Sequence, residues 1–142
     1  MRKWILISIL FLGAGCTTQS QPTVVFPNGS VITVEIADDD AQRIRGLSGR
    51  AGLGSQRGML FLHEDSVVQS YWMKDMAFPI DIIWIDGGEI VGFVEAAVPE
   101  EPPLTIYTSP SPVDKVLEVS SGFVAQNKVK IGDILDIELS DE

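Results

Sequence analysis

The sequence predicts a mainly β protein, a compact antiparallel β-sandwich or partly open barrel with one short helix. Three observations support this fold class. Short runs rich in valine, isoleucine and aromatic residues recur along the chain, several of them alternate apolar and polar residues, and glycine or proline turns separate them at short spacing. Since 142 residues lie within the size of one ordinary domain, we expect a single β-rich domain over residues 23–142.

The N-terminal segment has the pattern of a secretory signal. Arg2 and Lys3 precede an apolar run over residues 4–12, and small residues fill positions 13–15. That run is far shorter than the ~20 residues a membrane-spanning helix needs. We therefore predict that residues 1–15 are a signal peptide.

The string LGAGC ends at Cys16, the sole cysteine, and resembles the lipobox of bacterial lipoproteins. This resemblance implies a lipid anchor on Cys16, followed by a polar tether that ends at residue 22. The domain would then be attached to a membrane of the cell envelope. Thr17 follows the cysteine, at the position where an inner-membrane retention signal would have aspartate. In a Gram-negative host we therefore expect the protein on the periplasmic face of the outer membrane. The alternative is a plain secreted protein.

The charge of the chain limits its partners. The formal net charge is −10, and loss of Arg2 and Lys3 with the signal peptide makes it −12. Such a domain repels phosphate, so we expect no nucleic acid partner and no binding to anionic lipid head groups. With Cys16 acylated no thiol is left for catalysis or metal binding. We expect no cofactor.

The first elements are a hairpin and a short helix. Two β-rich runs flank Asn28-Gly29, a dipeptide typical of tight hairpin turns, and Ile32, Val34 and Ile36 share one face of the second run. Next, Asp39 or Asp40 can cap a one- or two-turn helix in which Ile44 and Leu47 share a face and which Gly46 ends. Five glycines in residues 46–58 then predict a loop.

Further strands follow at regular spacing. We predict strands over residues 58–63 and 69–76, a hairpin over 79–96 that turns at 86–88, and final strands over 115–122 and 128–139. Residues 97–113 hold five of the eight prolines and cannot pair as a central strand. They are predicted to form an extended surface loop.

Several separated strings resemble one family. They are RIRGLSGR (43–50), RGMLFLH (57–63), YWMKDM (71–76), PIDIIWID (79–86), Tyr107, VLEV (116–119), Gly122 and IGD (131–133). Together they look like the bacterial and archaeal family known as domain of unknown function 192. The resemblance implies a predominantly β, often exported protein and no established activity. Since Glu100 stands where many members have cysteine, no thiol role carries over.

Asp81 is the most unusual residue of the chain. In an extended strand it shares a face with Ile83 and Ile85, and a buried unpaired carboxylate costs several kcal/mol. One interpretation is structural: Asp81 pairs with Lys74, Arg45 or Arg50, or caps loop amides.

The other interpretation is a binding cleft. It would be basic and aromatic, roofed by the glycine-rich and proline-rich loops, and would hold a small polar or anionic ligand. Its residues would be Arg45, Arg50, Trp72, Lys74, Asp75, Asp81 and Tyr107.

Catalysis and metal binding have weaker support. His63 is the sole histidine and no nucleophile motif is present, although Asp75 and Asp81 could form the acid and base pair of a carboxylate-dependent hydrolase. Methionines near His63 could hold cuprous copper, but they fit packing against aromatic rings better. Residues 38–40 fit a helix cap better than a calcium loop. We expect no catalytic residue and no metal.

The sequence therefore favours a lipid-anchored, non-catalytic module of the cell envelope that binds an unknown small molecule. A structural or protein-interaction module remains the first alternative. Its contact surface would be the proline-rich loop, because a preformed extended segment loses little entropy on docking.

Overall fold

The computed structural model describes residues 20–140. The predicted signal peptide, Cys16 and the start of its tether lie outside the described residues. Within the described part, no helix is both long enough and apolar enough to cross a bilayer.

Nine strands and two helices make up the described chain. The strands are β1 (Thr23–Val25), β2 (Val31–Ala37), β3 (Arg57–Val67), β4 (Ser70–Tyr71), β5 (Ile80–Asp86), β6 (Glu89–Ala97), β7 (Tyr107–Thr108), β8 (Val113–Ser120) and β9 (Asp136–Glu138). The helices are α1 (Asp40–Arg45) and α2 (Phe123–Asn127). The mainly β prediction is confirmed.

Seven of the strands form one curled sheet, in the order β6-β5-β8-β3-β2-β1-β9, and β4 pairs with β7 separately. The sheet is a half-barrel. Its two edges meet locally, because the amide of Ile90 donates to the carbonyl of Asp133 at 2.9 Å beside a bridge between Glu89 and Ile134. One ladder, β2 with β3, is parallel, and the chain crosses between them through α1. The other ladders are antiparallel, as predicted.

The first hairpin and the helix after it form where the sequence predicts. Gly29 takes a φ of 86° in the β1–β2 turn, a conformation that glycine adopts readily. At α1, Asp39 accepts a hydrogen bond from the Gln42 amide, and the Gln42 side chain accepts one from the Asp39 amide. This reciprocal capping box fixes the start of a helix too short to be stable alone.

The regions 69–76 and 128–139 are less regular than predicted. β4 ends at Tyr71, and the chain then turns, with Asp75 at a φ of 56°, so Trp72 and Lys74 are not neighbours on one face of a strand. The last predicted strand shrinks to β9, and Ile131 before it is exposed. Helix α2 was not predicted, since five residues show no helical period and its cap comes from a distant residue.

The sheet has one apolar cluster on each face. Alternation along the strands assigns each residue to a face. One cluster is covered by α2 and contains Ile32, Val34, Leu60, Ile83, Leu117, Val119, Phe123 and Val124. The other is covered by the segments after α1 and β4 and contains Ala37, Leu47, Met59, Phe61, Met73, Ile82, Trp84 and Val116. We call the first the α2 face and the second the α1 face.

The proline-rich segment is mostly irregular, as predicted, but it also pairs. Tyr107 lies opposite Tyr71 in the small β4–β7 sheet. Ser109 then ties the segment to residue Gln69, because its hydroxyl accepts from the Gln69 amide at 3.0 Å. The predicted loop is therefore anchored at its C-terminal end next to β4.

Candidate functional site

A cavity of about 220 Å³ opens on the α1 face, between α1, β3 and β4. Three kinds of residue line it. The aromatic and apolar ones are Ile44, Leu47, Phe61, Tyr71, Trp72 and Met76; the basic ones are Arg43 and Arg45; the remaining polar ones include His63, Gln69, Ser70 and Glu118. Volume and lining suit a small molecule with an apolar body and a polar group.

Glu118 is the polar residue at the base of this cavity. It lies on β8, opposite Met59 on one side and Ile82 on the other, and its side chain shares their face of the sheet. Only 6 % of it is exposed. A glutamate at this position is unexpected, because the residues opposite it on the neighbouring strands, Met59 and Ile82, are both apolar.

The Glu118 carboxyl has no hydrogen-bond partner within residues 20–140. Every fully enclosed polar side-chain atom in this part of the chain has a partner. The Glu118 oxygens are therefore open to the cavity that they line. Burial raises the pKa of this carboxyl to about 8, so at neutral pH the group is mainly the protonated acid.

Tyr71 and His63 form a hydrogen-bonded pair on the wall of the cavity. The hydroxyl oxygen of Tyr71 and Nε2 of His63 are 3.1 Å apart, and the Tyr71 ring makes edge contacts with Phe61 and Trp84. Burial raises the pKa of Tyr71, and the nearby Glu118 raises it further. Burial, and then Arg43, lower the pKa of His63. Both side chains are thus uncharged at neutral pH.

The two arginines of the cavity differ in what they already bind. Arg43 donates to the carbonyls of Asp38 and Leu62 and pairs with Asp40 at 2.7 Å. Arg45 is exposed and makes no ion pair within residues 20–140. Beside it, Ile44 is 76 % exposed and Leu47 is buried beyond the end of α1, so the prediction that these two residues share a face of the helix is wrong. Arg45 can therefore meet an anionic group at the mouth of the cavity.

Asp81 has a different role from that of Glu118. It is fully buried on the α2 face, and its two oxygens accept hydrogen bonds from three backbone amides. The donors are Ala96 at 2.9 Å, Gly122 at 3.2 Å and Val124 at 2.9 Å. Asp81 thus caps the first turn of α2 and ties β5 to the end of β6. This geometry matches the structural interpretation, with loop amides as the partners.

The structure divides the seven residues of the predicted cleft among different places. Arg45 and Trp72 line the cavity with Glu118, whereas Lys74 and Asp75 are exposed and line a second cavity of about 420 Å³ together with the proline-rich segment. Arg50 binds Glu35 through two hydrogen bonds of 2.6 and 2.8 Å. Tyr107 packs against the apolar cluster of the α1 face.

This placement separates Asp75 and Asp81, the pair predicted as the acid and base of a hydrolase. Asp81 is enclosed on the α2 face with both oxygens bound to amides, while Asp75 is exposed in the loop that covers the α1 face. These two side chains do not face each other across a cleft.

Glu118 was missed by sequence reasoning, although a signal for it exists. In VLEV (116–119) it is an acid within an apolar run at the centre of a predicted strand. The argument that singled out Asp81 applies equally to Glu118, since each carboxyl occupies a position where alternation predicts burial.

Comparisons with known proteins agree with this fold and leave the site without an assigned ligand. Residues 23–137 match the family profile of DUF192, described as an uncharacterized ACR. No curated protein matches the sequence significantly.

The solved structures that share the fold include the following two. One is a protein of unknown function from Novosphingobium aromaticivorans, 30 % identical, with a TM-score of 0.74 over 81 % of this chain and 82 % of that one. The other, from Sinorhizobium meliloti, is named as a proposed transcription regulator; it is 34 % identical, with a TM-score of 0.74 over 82 % of this chain and 91 % of that one.

Proposed function

The chain belongs to the DUF192 family, and from that premise we propose that it is a non-catalytic module that binds a small organic molecule in the cavity on the α1 face. One observation carries the proposal: Glu118 is buried at the base of an aromatic cavity and its carboxyl has no hydrogen-bond partner within residues 20–140. Because its oxygens are open to the cavity, a ligand bound there can form a hydrogen bond with this carboxyl in place of solvent, and the low exposure of the site strengthens that bond.

The other cavity residues support binding more than chemistry. Trp72 is 49 % exposed at the mouth and offers an apolar surface, whereas Trp84 below it is 1 % exposed and packs in the core. His63 and Tyr71 bond to each other and so hold the wall in place. The lining residues include no cysteine and no second acid, and the two serines among them already have other partners: Ser48 donates to the carbonyl of Lys74, and Ser70 bonds to Thr108.

The test is a screen of small organic compounds against the purified protein by two-dimensional NMR. We expect compounds that bind to shift the resonances of His63, Tyr71 and Trp72. The Trp72→Ala substitution should lower the affinity of these compounds without unfolding the protein. Ile106→Ala is the matched control, because Ile106 is equally exposed but does not line the cavity. Compounds that bind only at the second cavity near Lys74, or none at all, would refute the assignment.

We place this module at the cell envelope through a lipid on Cys16. The support is the LGAGC string after a signal-like segment, which predicts acylation and export. In fractionated cells the wild-type protein should sediment with membranes and incorporate labelled palmitate, while Cys16→Ala should do neither. Label on the Cys16→Ala variant would refute lipidation at this residue.

A protein-interaction role for the proline-rich segment is the second candidate. Its support is that Val98 and Ile106 are each 53 % exposed on this segment, which already pairs with β4. A photo-crosslinker at Ile106 should then capture one defined envelope protein, and a crosslinker at the exposed Ile131 should not. Equal capture from both positions would count against this surface.

A further inference from the structure

The polar groups of the cavity can bind a ligand mainly through hydrogen bonds. At neutral pH burial keeps Glu118 protonated, and both His63 and Tyr71 are uncharged. On this face β5 contributes Ile80, Ile82 and Trp84 to the apolar cluster. The charged groups that line the cavity are Arg43 and Arg45.

Some polar groups of the cavity have hydrogen-bond partners within residues 20–140, and Glu118 does not. His63 and Tyr71 share one hydrogen bond with each other. Glu118 in its acid form carries an O–H donor for which residues 20–140 provide no acceptor. A ligand that brings an acceptor atom, such as a carbonyl or carboxylate oxygen, can accept this hydrogen bond.

Resting on the binding role proposed above, we propose that the cavity selects small organic molecules with a carbonyl or carboxylate oxygen, which accepts a hydrogen bond from Glu118. The flat walls formed by Phe61, Tyr71 and Trp72 suit an aromatic or planar body. A second anionic group of the ligand would reach Arg45 at the mouth. The ligand class is thus an amide or a small organic acid.

A cationic ligand fits these observations less well. An amine would have to ionise Glu118 in a site where burial opposes ionisation, and it would approach past Arg45. Arg43 does not attract an amine either, because it is itself positively charged, and the Asp40 carboxylate that pairs with it leaves no free negative charge for the amine. The opposite pH dependence separates the two cases, since an acceptor needs the acid form of Glu118 and an amine needs the carboxylate.

The experiment titrates three probes of matched shape into the purified protein: phenylacetamide, phenylacetate and the phenethylammonium ion. Binding is read from NMR shifts of the cavity residues between pH 6 and 9.5. We expect phenylacetamide and phenylacetate to bind at pH 6–7 and phenylacetamide to weaken with a midpoint near the pKa of Glu118, about 8.

Two variants isolate the hydrogen bond. Glu118→Gln keeps a donor, so phenylacetamide should still bind and its affinity should no longer change with pH. Glu118→Leu removes the donor and should weaken phenylacetamide about tenfold, the typical value of one buried hydrogen bond.

Each other outcome overturns the inference in a distinct way. Binding of phenethylammonium alone, tighter at high pH and lost in Glu118→Gln, would keep the binding function and reverse the ligand class. Equal binding of all three probes to wild type and Glu118→Leu would show that Glu118 takes no part. No shift of cavity residues by any probe at millimolar concentration would refute both the inference and the binding function.

Discussion

Asp81 and Glu118 lie on the neighbouring strands β5 and β8, one register step apart, and their side chains point to opposite faces of the sheet. Both are buried. Asp81 accepts hydrogen bonds from the amides of Ala96, Gly122 and Val124, whereas Glu118 has no partner within residues 20–140. The first acid therefore stabilises the fold, and the second is available to a ligand.

Asp81→Asn should destabilise the protein by about 3 kcal/mol or more, because an amide group cannot accept from all three backbone donors and buried donors without partners are costly. Urea unfolding measures the change. Asp75→Asn is the control: Asp75 is exposed, and asparagine tolerates its positive φ, so its free energy of unfolding should change by less than about 0.5 kcal/mol. Similar effects of both changes would contradict the cap.

Glu118 should make stability fall as pH rises from about 4.5 to about 8. Its pKa is raised from 4.5 to about 8 in the folded protein, so over this window the folded state holds the proton more tightly than the unfolded state. The full shift corresponds to about 5 kcal/mol. Unfolding free energies of wild type minus those of Glu118→Gln isolate this contribution, because other groups cancel. A flat difference would show that Glu118 titrates normally.

Arg50→Gln should raise the pKa of Glu35 toward its ordinary value. The hydrogen bonds from Arg50 are the largest cause of the lowered pKa of Glu35, ahead of the charge of Arg57. An NMR titration of the side-chain carboxyl measures this pKa. Arg57→Gln is the control, and it should raise the pKa of Glu35 by less than Arg50→Gln does. The lowered pKa makes this pair stabilising above pH 4.5, and the contribution is lost as pH falls through the folded pKa.

Because both partners of that pair are partly exposed, Arg50→Gln should cost less than about 1 kcal/mol of unfolding free energy. A larger loss, or an unchanged pKa of Glu35, would contradict the described pairing. Ligand affinity at the cavity should stay unchanged, since Arg50 does not line it.

Gly58→Ala should be strongly destabilising, because an added Cβ would lie 2.9 Å from the carbonyl oxygen of Glu118 and 3.1 Å from Ile32. The thermal midpoint and the cavity resonances report this change. At Gly52 nothing lies within 4 Å of an added Cβ and φ is not positive, so Gly52→Ala should be neutral. If Gly58→Ala is also tolerated, the close approach of β3 and β8 is wrong.

Local patterns predicted much of the fold. Asn28-Gly29, the capping aspartate Asp39 and the turn after Asp86 each act within a few residues, so the first hairpin, α1 and the β5–β6 hairpin were predicted. Alternation also placed Ile32 and Val34 in the core. These features need only neighbours in sequence.

Features that depend on contacts between residues distant in sequence could not be predicted. The cap of α2 comes from Asp81, 43 positions before Val124, so no local signal marks that helix. The parallel pairing of β2 with β3 depends on how α1 crosses the sheet. The cavity depends on the same kind of contact, because Glu118, Tyr71 and Arg45 come from three separate elements.

The residues predicted to line one cleft lie in separate places for a related reason. Trp72, Lys74 and Asp75 are adjacent in sequence, but the turn at Asp75 directs them to two cavities. The partner of Arg50 is Glu35, which lies on a strand that reaches it only in the folded chain.

The most direct test of the central claim is the free energy of unfolding of Glu118→Leu, measured at pH 7.5 without ligand. If Glu118 serves a ligand and not the fold, replacing it with an apolar side chain of similar size should raise stability by about 4 kcal/mol, because at pH 7.5 the unfolded chain is favoured by ionisation of Glu118. A loss of more than about 1 kcal/mol would show that Glu118 stabilises the fold, and the cavity would lose its assignment as a binding site.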